Sequence, residues 1–231
     1  MPVRSTLLIA ALVALTTACG PREISLACRP MDEPKNLAAR PSPYDSVQLT
    51  IGDRTAQVCY SRPAVKGRVV FGGIVPFDSL WRTGANEPTI LHLPFDAEIA
   101  GLAVPAGDYS LYTVPRQVGE WQLVINRSTS QWGITLDAPR PDGGVNRSAY
   151  TAEVAAQELG RAPVMADSIE FVEQFTVRAE QAVGDASALV LEWERTRVRI
   201  PVRVRGPAAA PRRGEMPRRA SQGCSGNASC G

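Results

Sequence analysis

The chain has 231 residues with 25 basic and 23 acidic side chains, so its formal net charge is only +2. Arg4 and the arginines of the C-terminal tail account for this excess, and the remaining residues are close to charge balance. This distribution excludes a broad basic face of the kind that binds nucleic acid. Hydrophobic residues make up 44% of the chain, which is enough for one buried core.

Residues 1–18 are typical of an export signal, with a charged start at Arg4, a short apolar stretch and small residues before a cleavage point. The apolar stretch is too short for a spanning helix, which needs roughly 20 residues. Cys19 and Gly20 follow as in a bacterial lipoprotein signal, so we expect Cys19 to be lipidated. A free or disulfide-bonded Cys19 is the alternative. The expected location is the periplasm or the outer membrane, with the protein held there by its lipid.

Residues 19–41 are rich in proline and are interpreted as a tether between the lipid and a domain at residues 42–205. Residues 206–231 contain mainly proline, alanine, arginine, glycine and serine, with almost no large apolar side chain. Such a composition cannot bury enough surface to fold, so we expect this tail to be disordered.

The cysteines agree with an oxidising compartment outside the cytosol. Cys224 and Cys230 lie close enough in the tail to close a small loop, and Cys28 is a partner for Cys59. A buried free thiol at Cys59 is equally compatible with the sequence, because unpaired cysteine is often fully buried.

Within the domain, alternating polar and apolar residues predict strands in chain order. Residues 47–51 and 56–60 flank a Gly-Asp turn and predict a hairpin. Further strands are predicted at residues 89–95, 98–101, 102–104, 109–114, 121–126, 169–177, 188–193 and 196–204. Residues 152–159 indicate a helical turn, and residues 132–150 a long loop. The predicted fold is all-β, a single antiparallel β-sandwich or jelly-roll-like domain with one short helix.

Two loops between predicted strands hold the residues that we expect to bind a ligand, since loops on a rigid β scaffold often carry function. Clustered basic side chains suit the capture of carboxylate or phosphate groups, and an indole ring offers a stacking surface for a sugar or a cation. The candidate ligand-binding residues of the two loops are Arg62, Lys66, Arg68, Trp81, Arg82, Asn86 and Glu87. Tyr112, in the predicted strand at residues 109–114, is a further candidate for the lining of the site.

Three functions fit these loops. The first, which we favour, is a non-catalytic module that binds a small anionic or sugar-like ligand, or a protein. The second is a hydrolase or isomerase in which Glu87 is the general base and Arg82 with Asn86 stabilises an oxyanion. The third is a purely structural envelope protein, in which Arg82 pairs with Glu87 and Asn86 caps a turn.

His92 is the only histidine, and it lies in a predicted strand without a Gly-x-Ser-x-Gly motif nearby. The chain has no Cys-x-x-Cys pair and no glycine-rich phosphate loop that ends in lysine. We therefore predict no metal site and no cofactor. The expected partners are the membrane, through the lipid, and an unidentified small molecule or protein, but no nucleic acid.

Several ordered motifs are similar to those of the bacterial DUF2911 family, over about residues 42–204. The motifs are Ser61-Arg62-Pro63, Lys66-Gly67-Arg68, Phe71-Gly72, Trp81 to Glu87, Pro105-Ala106-Gly107, Tyr109-Ser110-Leu111, Asn126 with Gln131-Trp132-Gly133, Leu191 to Glu194, Val198 and Pro201-Val202. The resemblance implies an exported or lipid-anchored β protein of unknown function, and it supplies no catalytic residue. The tail, the extra cysteines and the loop near Asp142 depart from the family pattern.

Overall fold

The computed structural model describes residues 23–31, 36–37, 39–131 and 150–206. The predicted export signal, the predicted lipidation site Cys19, the candidate pair Cys224 and Cys230, almost all of the tail and the predicted loop at residues 132–149 lie outside these ranges. No helix in the described part of the chain is both long enough and apolar enough to cross a membrane.

Within the described residues, the domain consists of ten strands and one short helix. In chain order they are β1 (Tyr44–Ile51), β2 (Arg54–Ser61), β3 (Thr89–Leu93), β4 (Ala97–Ile99), β5 (Leu102–Val104), β6 (Gly107–Val114), β7 (Trp121–Asn126), α1 (Ala152–Ala155), β8 (Glu158–Val164), β9 (Ala166–Ala179) and β10 (Ala186–Val204). All strand pairs are antiparallel, in a six-stranded sheet of order β1-β2-β3-β6-β7-β8 and a four-stranded sheet of order β5-β4-β10-β9. The predicted all-β sandwich is confirmed.

The hydrophobic core lies between the two sheets. Leu91 and Leu93 of β3 and Leu123 and Ile125 of β7 are at most 1% exposed, and they belong to the same cluster as Ile200 of β10. Their spacing of two residues is the alternation from which the strands were predicted, because successive side chains of a strand point to opposite faces.

Two elements differ from the sequence prediction. Strand β8 was not predicted, since Gly160 and Pro163 disfavour a strand, but β8 lies at the edge of its sheet, where proline is tolerated. Residues 188–193 and 196–204 form one strand, β10, in place of two. Its pairing with β9 shifts register on both sides of Glu194, whose φ is 55°. The Val204 amide donates to the Asp185 carbonyl (2.8 Å), so the bent strand ends beside the turn from which it starts.

One end of the six-stranded sheet carries the two candidate loops. Here β2 and β6 end at Ser61 and Val114, and β3 and β7 begin at Thr89 and Trp121. We call this the loop end. The Gly52-Asp53 turn of the first hairpin lies at the opposite end.

The predicted tether is docked on the domain where the structure describes it. A disulfide joins Cys28 to Cys59 of β2, and the Arg62 amide donates to the Pro43 carbonyl (2.8 Å). The Arg40 guanidinium reaches Glu87 from the same segment. The described residues at positions 28–43, here called the strap, are therefore part of the folded body, and they do not act as a free spacer.

Candidate functional site

The structure brings Lys66, Arg68, Trp81 and Arg82 together around one pocket of about 500 Å³ at the loop end. Apolar side chains supply most of the remaining wall. They are Pro41 of the strap, Pro63, Ala64, Ile74, Val75, Pro76, Leu80 and Ala85, with Trp193 of β10. Two loops that are separate in sequence, together with the strap, thus form a single concave surface.

Two tryptophans contribute the indole surface of this pocket. Trp81 is 7% exposed and Trp193 is 2% exposed, and their rings stack with centroids 5.6 Å apart and an interplanar angle of 22°. Phe71 and Phe175 pack edge-on against both rings. Since the Trp81 Nε1 also donates to the Gly84 carbonyl (3.0 Å), the ring is fixed in place. Trp81 therefore serves both the core and the pocket.

Lys66 and Arg68 present their charges at the pocket surface, and both residues are exposed. The Arg68 Nε and Nη2 donate to the carbonyls of Val65 and Ala64 (2.9 and 2.7 Å), which orient the guanidinium without neutralising it. The backbone amide of Lys66 donates to a carboxylate oxygen of Glu173 (2.9 Å). Arg82 is more deeply placed. Burial lowers its pKa, while the charge of the nearby Glu87 acts in the opposite direction.

The backbone of the second loop is strained and held by its own hydrogen bonds. Thr83 has a φ of 55°, which is unusual for a β-branched residue. Its hydroxyl lies 3.3 Å from the Trp81 carbonyl and 3.2 Å from the Thr113 hydroxyl. A Cβ at Gly84 would lie only 3.1 Å from the Ser61 carbonyl oxygen, so glycine suits this close approach. Such conformations concentrate at functional sites and persist only where the surroundings determine them.

Glu87 does not line the pocket. Its side chain is buried on the other side of the loop, where the Arg40 Nη1 donates to both carboxylate oxygens (3.1 and 2.8 Å). The side chains of Arg40 and Glu87 are only 5% and 3% exposed. The Met31 amide donates to the same carboxylate at 3.4 Å. The carboxylate that was a candidate general base is therefore the centre of a buried contact with the strap.

Tyr44 borders this buried pair. Burial raises its pKa from 10.0 to about 12, with a further increase from the charge of Glu87 and a smaller opposing effect of Arg40. Asn86, whose φ is 61°, lies next to it, with its side-chain amide 3.5 Å from the Ser61 hydroxyl. Asn86 therefore contacts the end of β2 and is not among the residues that line the pocket.

A profile of the family described as "Protein of unknown function (DUF2911)" matches residues 42–202, which is well over half of the chain. The chain belongs to the DUF2911 family. No curated protein and no solved structure matches the chain. All candidate ligand-binding residues lie within the matched DUF2911 region, whereas Cys28 and Arg40 of the strap precede it.

Two further candidates lie away from the pocket of the DUF2911 domain. The Arg62 guanidinium contacts Asp45 Oδ2 (3.1 Å), the Phe175 carbonyl (3.2 Å) and the Thr176 hydroxyl (3.1 Å), so Arg62 links β2 to β9. The sequence predicted this arginine in one basic cluster with Lys66 and Arg68, but its partners hold it between the two sheets.

Tyr112 is completely buried and does not line the pocket, in contrast to the prediction. It packs with Val114 and Val124 on the face of the six-stranded sheet that is turned away from the main core. Its hydroxyl accepts from the Gln131 side-chain amide, and its ring meets the Tyr150 ring edge-on at 5.0 Å. Burial raises the Tyr112 pKa, so the hydroxyl stays neutral. The alternation along β6 places Leu111 inward and therefore Tyr112 outward.

Sequence reasoning missed two residues of the site. Trp193 follows the alternation of a core strand, and its sequence does not show that it also lines the pocket. Arg40 lies in a proline-rich stretch whose composition indicates a linker, and nothing local connects it with Glu87. Among the described residues, no group of three or more histidine, cysteine, aspartate or glutamate side chains is placed to hold a metal ion.

Proposed function

We propose that this protein is an exported, lipid-anchored module that binds a small organic anion in the pocket at the loop end without transforming it. The observation that carries the proposal is the meeting of Lys66, Arg68, Trp81 and Arg82 from two loops around one cavity of about 500 Å³. This volume is within the range of small-molecule sites, roughly 300–1,000 Å³.

The charges of the lining favour an anionic ligand. Lys66 and Arg68 project their side chains at the surface, and the described residues of the lining include no aspartate or glutamate. Arginine suits a carboxylate or a phosphate because its planar group donates two parallel hydrogen bonds. Since carbonyl groups already orient Arg68, little conformational entropy is lost when an anion binds.

The apolar part of the lining favours a ligand with a compact ring or hydrocarbon body. Proline, isoleucine and alanine side chains form the walls, and stacked indoles lie among them. Most of a bound molecule would therefore contact apolar surface, with its charge at the basic side. Sugar acids and aromatic acids both meet this description.

The geometry gives less support to the other two functions. A general base needs access to a substrate proton, but Glu87 is buried in its pair with Arg40 and does not line the pocket. A purely structural envelope protein needs no cavity lined by exposed cations. We therefore place binding ahead of catalysis and of a purely structural role.

Ligand binding is tested by titrating benzoate and benzyl alcohol, which share a ring and differ in charge, into the full chain. We expect benzoate to bind more tightly. Arg68→Gln should weaken benzoate binding about tenfold, since hydrogen bonds to charged groups contribute roughly 1.5–3 kcal/mol. Ala85→Leu should weaken the binding of both by filling the pocket. Equal binding of both probes, or no effect of either variant, would refute the proposal.

Two control variants lie far from the pocket. Arg54→Gln changes an arginine at the opposite end of β2, and Ala103→Leu enlarges an exposed alanine of β5. Neither should alter benzoate binding. Product formation from a panel of esters and glycosides, lost in Glu87→Gln with the fold intact, would favour the hydrolase instead.

The anchored location is tested separately. Mass spectrometry of the mature protein from bacterial membranes should show an N-terminal Cys19 that carries lipid, and Cys19→Ala should move the protein to the soluble fraction. An unmodified N-terminus at any other residue would contradict anchoring without affecting the binding proposal.

A further inference from the structure

The exposed large apolar side chains of the described residues are unevenly distributed over the domain. One, Val183, lies in the turn between β9 and β10, near Asp185 and the end of β10, at the far end of the sandwich. The others adjoin the loop end. They are Met31, Val69, Ile74, Val118, Met165 and Phe171. An apolar surface that is concentrated at one end marks an interaction site.

Val69 and Ile74 form the most prominent part of this surface. Their side chains are 65% and 44% exposed. The Ile74 amide donates to the Val69 carbonyl (3.1 Å), so the two residues are held side by side. A Cβ at Gly73 would lie 2.2 Å from the Val69 carbonyl oxygen, which shows how tightly the turn is closed. The pair is thus presented on a preformed turn and needs little ordering to bind.

Basic residues accompany this apolar turn. Residues 62–77 contain Arg62, Lys66 and Arg68 and no acidic residue. Lys66 and Arg68 are exposed just before Val69. Exposed aliphatic side chains beside basic residues are the combination that binds anionic membrane interfaces. We name Lys66, Arg68, Val69 and Ile74 the docking tip.

The N-terminal segment is attached to the domain at the end that carries the docking tip. The Cys28–Cys59 disulfide fixes the N-terminal segment two residues before the end of β2, at the loop end. Cys19 and Cys28 are nine positions apart, and an extended chain of that length reaches only about 30 Å. A lipid on Cys19 would therefore be joined to the domain at the loop end, through a segment of at most about 30 Å.

We propose that the docking tip contacts the surface of an anionic lipid bilayer, with Val69 and Ile74 entering the interface and Lys66 and Arg68 meeting the headgroup phosphates. For its setting the inference rests on the anchored location proposed above, but the contact itself requires neither a lipid on Cys19 nor a ligand in the pocket. The mouth of the pocket then opens beside the bilayer, where anionic amphiphiles are available as ligands.

The test uses the full mature chain with Cys19→Ser, so that no acyl chain contributes, in sedimentation with vesicles of phosphatidylglycerol mixed with phosphatidylcholine. We expect the protein to partition to these vesicles and not to phosphatidylcholine alone. Val69→Ser with Ile74→Ser should weaken partition at least tenfold, from the lost burial of two aliphatic side chains. Lys66→Gln with Arg68→Gln should weaken it roughly thirtyfold, at about 1 kcal/mol per charge.

Val183→Ser is the matched control, since this side chain is 82% exposed at the far end, and it should leave partition unchanged. Val69→Ser alone replaces the double variant if the double variant is unstable by circular dichroism. Equal partition of the tip variants and Val183→Ser would overturn the inference, as would a wild-type chain that stays in the supernatant. Lys66, Arg68 and Ile74 also line the pocket, whereas Val69 does not. Val69→Ser alone should therefore weaken vesicle partition and leave benzoate binding unchanged, which separates this result from the benzoate titration.

Discussion

Basic side chains lie on both sides of the loop at residues 81–87, but they have different roles on the two sides. On the open side, Lys66 and Arg68 face solvent across a pocket, with no carboxylate among the described residues of its lining. On the closed side, Arg40 and Glu87 form an ion pair with both side chains almost fully buried. A cluster of charged and aromatic residues in the sequence is therefore not sufficient to identify a ligand-binding site. Burial and the partner of each charge decide which part is structural and which part is free to bind.

The largest expected effect is the loss of the buried charge on the closed side. Arg40→Ala leaves the Glu87 carboxylate in a site where it is 2% exposed, so we expect the free energy of unfolding to fall by about 3–5 kcal/mol. Denaturant unfolding measures the change. Arg40→Ala combined with Glu87→Gln should recover part of the loss, because no charge is then buried.

The matched control for Arg40→Ala is Arg203→Ala. Arg203 and Asp185 also form an ion pair, but their side chains are 56% and 57% exposed. The loss there should be roughly 0–1 kcal/mol. Losses of similar size at positions 40 and 203 would remove the distinction between the closed side and an ordinary surface pair.

The second prediction concerns the disulfide that holds the strap over the closed side. Cys28 and Cys59 are 31 positions apart, and a loop of this size stabilises the folded state by about 3–4 kcal/mol through the entropy of the unfolded chain. Cys28→Ser with Cys59→Ser should lower the free energy of unfolding by that amount. Reductant should reproduce the loss in the wild type and add nothing in the double variant. A wild type that is insensitive to reductant would contradict the strap's contribution.

A smaller effect should appear at alkaline pH. The folded-state pKa of Tyr44 is raised from 10.0 to about 12, mainly by burial, so its contribution to stability is complete below pH 10 and is lost as the pH rises through about 12. The sign follows because the unfolded state releases this proton first. Stability measured across that window should fall less steeply in Tyr44→Phe than in the wild type. Parallel curves would show that the pKa of Tyr44 is not raised in the folded state.

The smallest effect on stability belongs to the open side. Arg68→Gln changes an exposed residue whose hydrogen bonds go only to neighbouring carbonyls, so the free energy of unfolding should change by less than about 0.5 kcal/mol. Chemical denaturation of this variant therefore separates stability from binding. A loss of unfolding free energy as large as that of Arg40→Ala would show that Arg68 stabilises the fold.

Much of this fold was predictable because its strands alternate. Strand β7 was predicted with its observed bounds, and the first hairpin was recognised from the turn at Gly52 and Asp53. Strand β8 was missed because the local cost of Gly160 and Pro163 is compensated by position, and position at a sheet edge is a tertiary property. The bend in β10 was missed for a similar reason, since a glutamate such as Glu194 gives no sequence signal for a positive φ.

The candidate site was only partly predictable. Local sequence identified the two loops, and their basic and aromatic content led to Lys66, Arg68, Trp81 and Arg82. Local sequence could not show that Arg62 forms hydrogen bonds with Asp45 and with β9. Local sequence also gave no sign that Glu87 is paired with a residue 47 positions earlier. Pairings across such distances depend on the assembled fold.

Pro163 also affects hydrogen bonding at the edge of the six-stranded sheet. It carries no amide hydrogen, so the exposed margin of β8 offers one donor fewer to an incoming strand of another molecule. On a crowded lipid surface, where the proposed anchor would confine many copies to two dimensions, such a margin discourages intermolecular sheet extension. The same proline that disfavours a strand in sequence analysis thus removes one hydrogen-bond donor from an edge of the sheet.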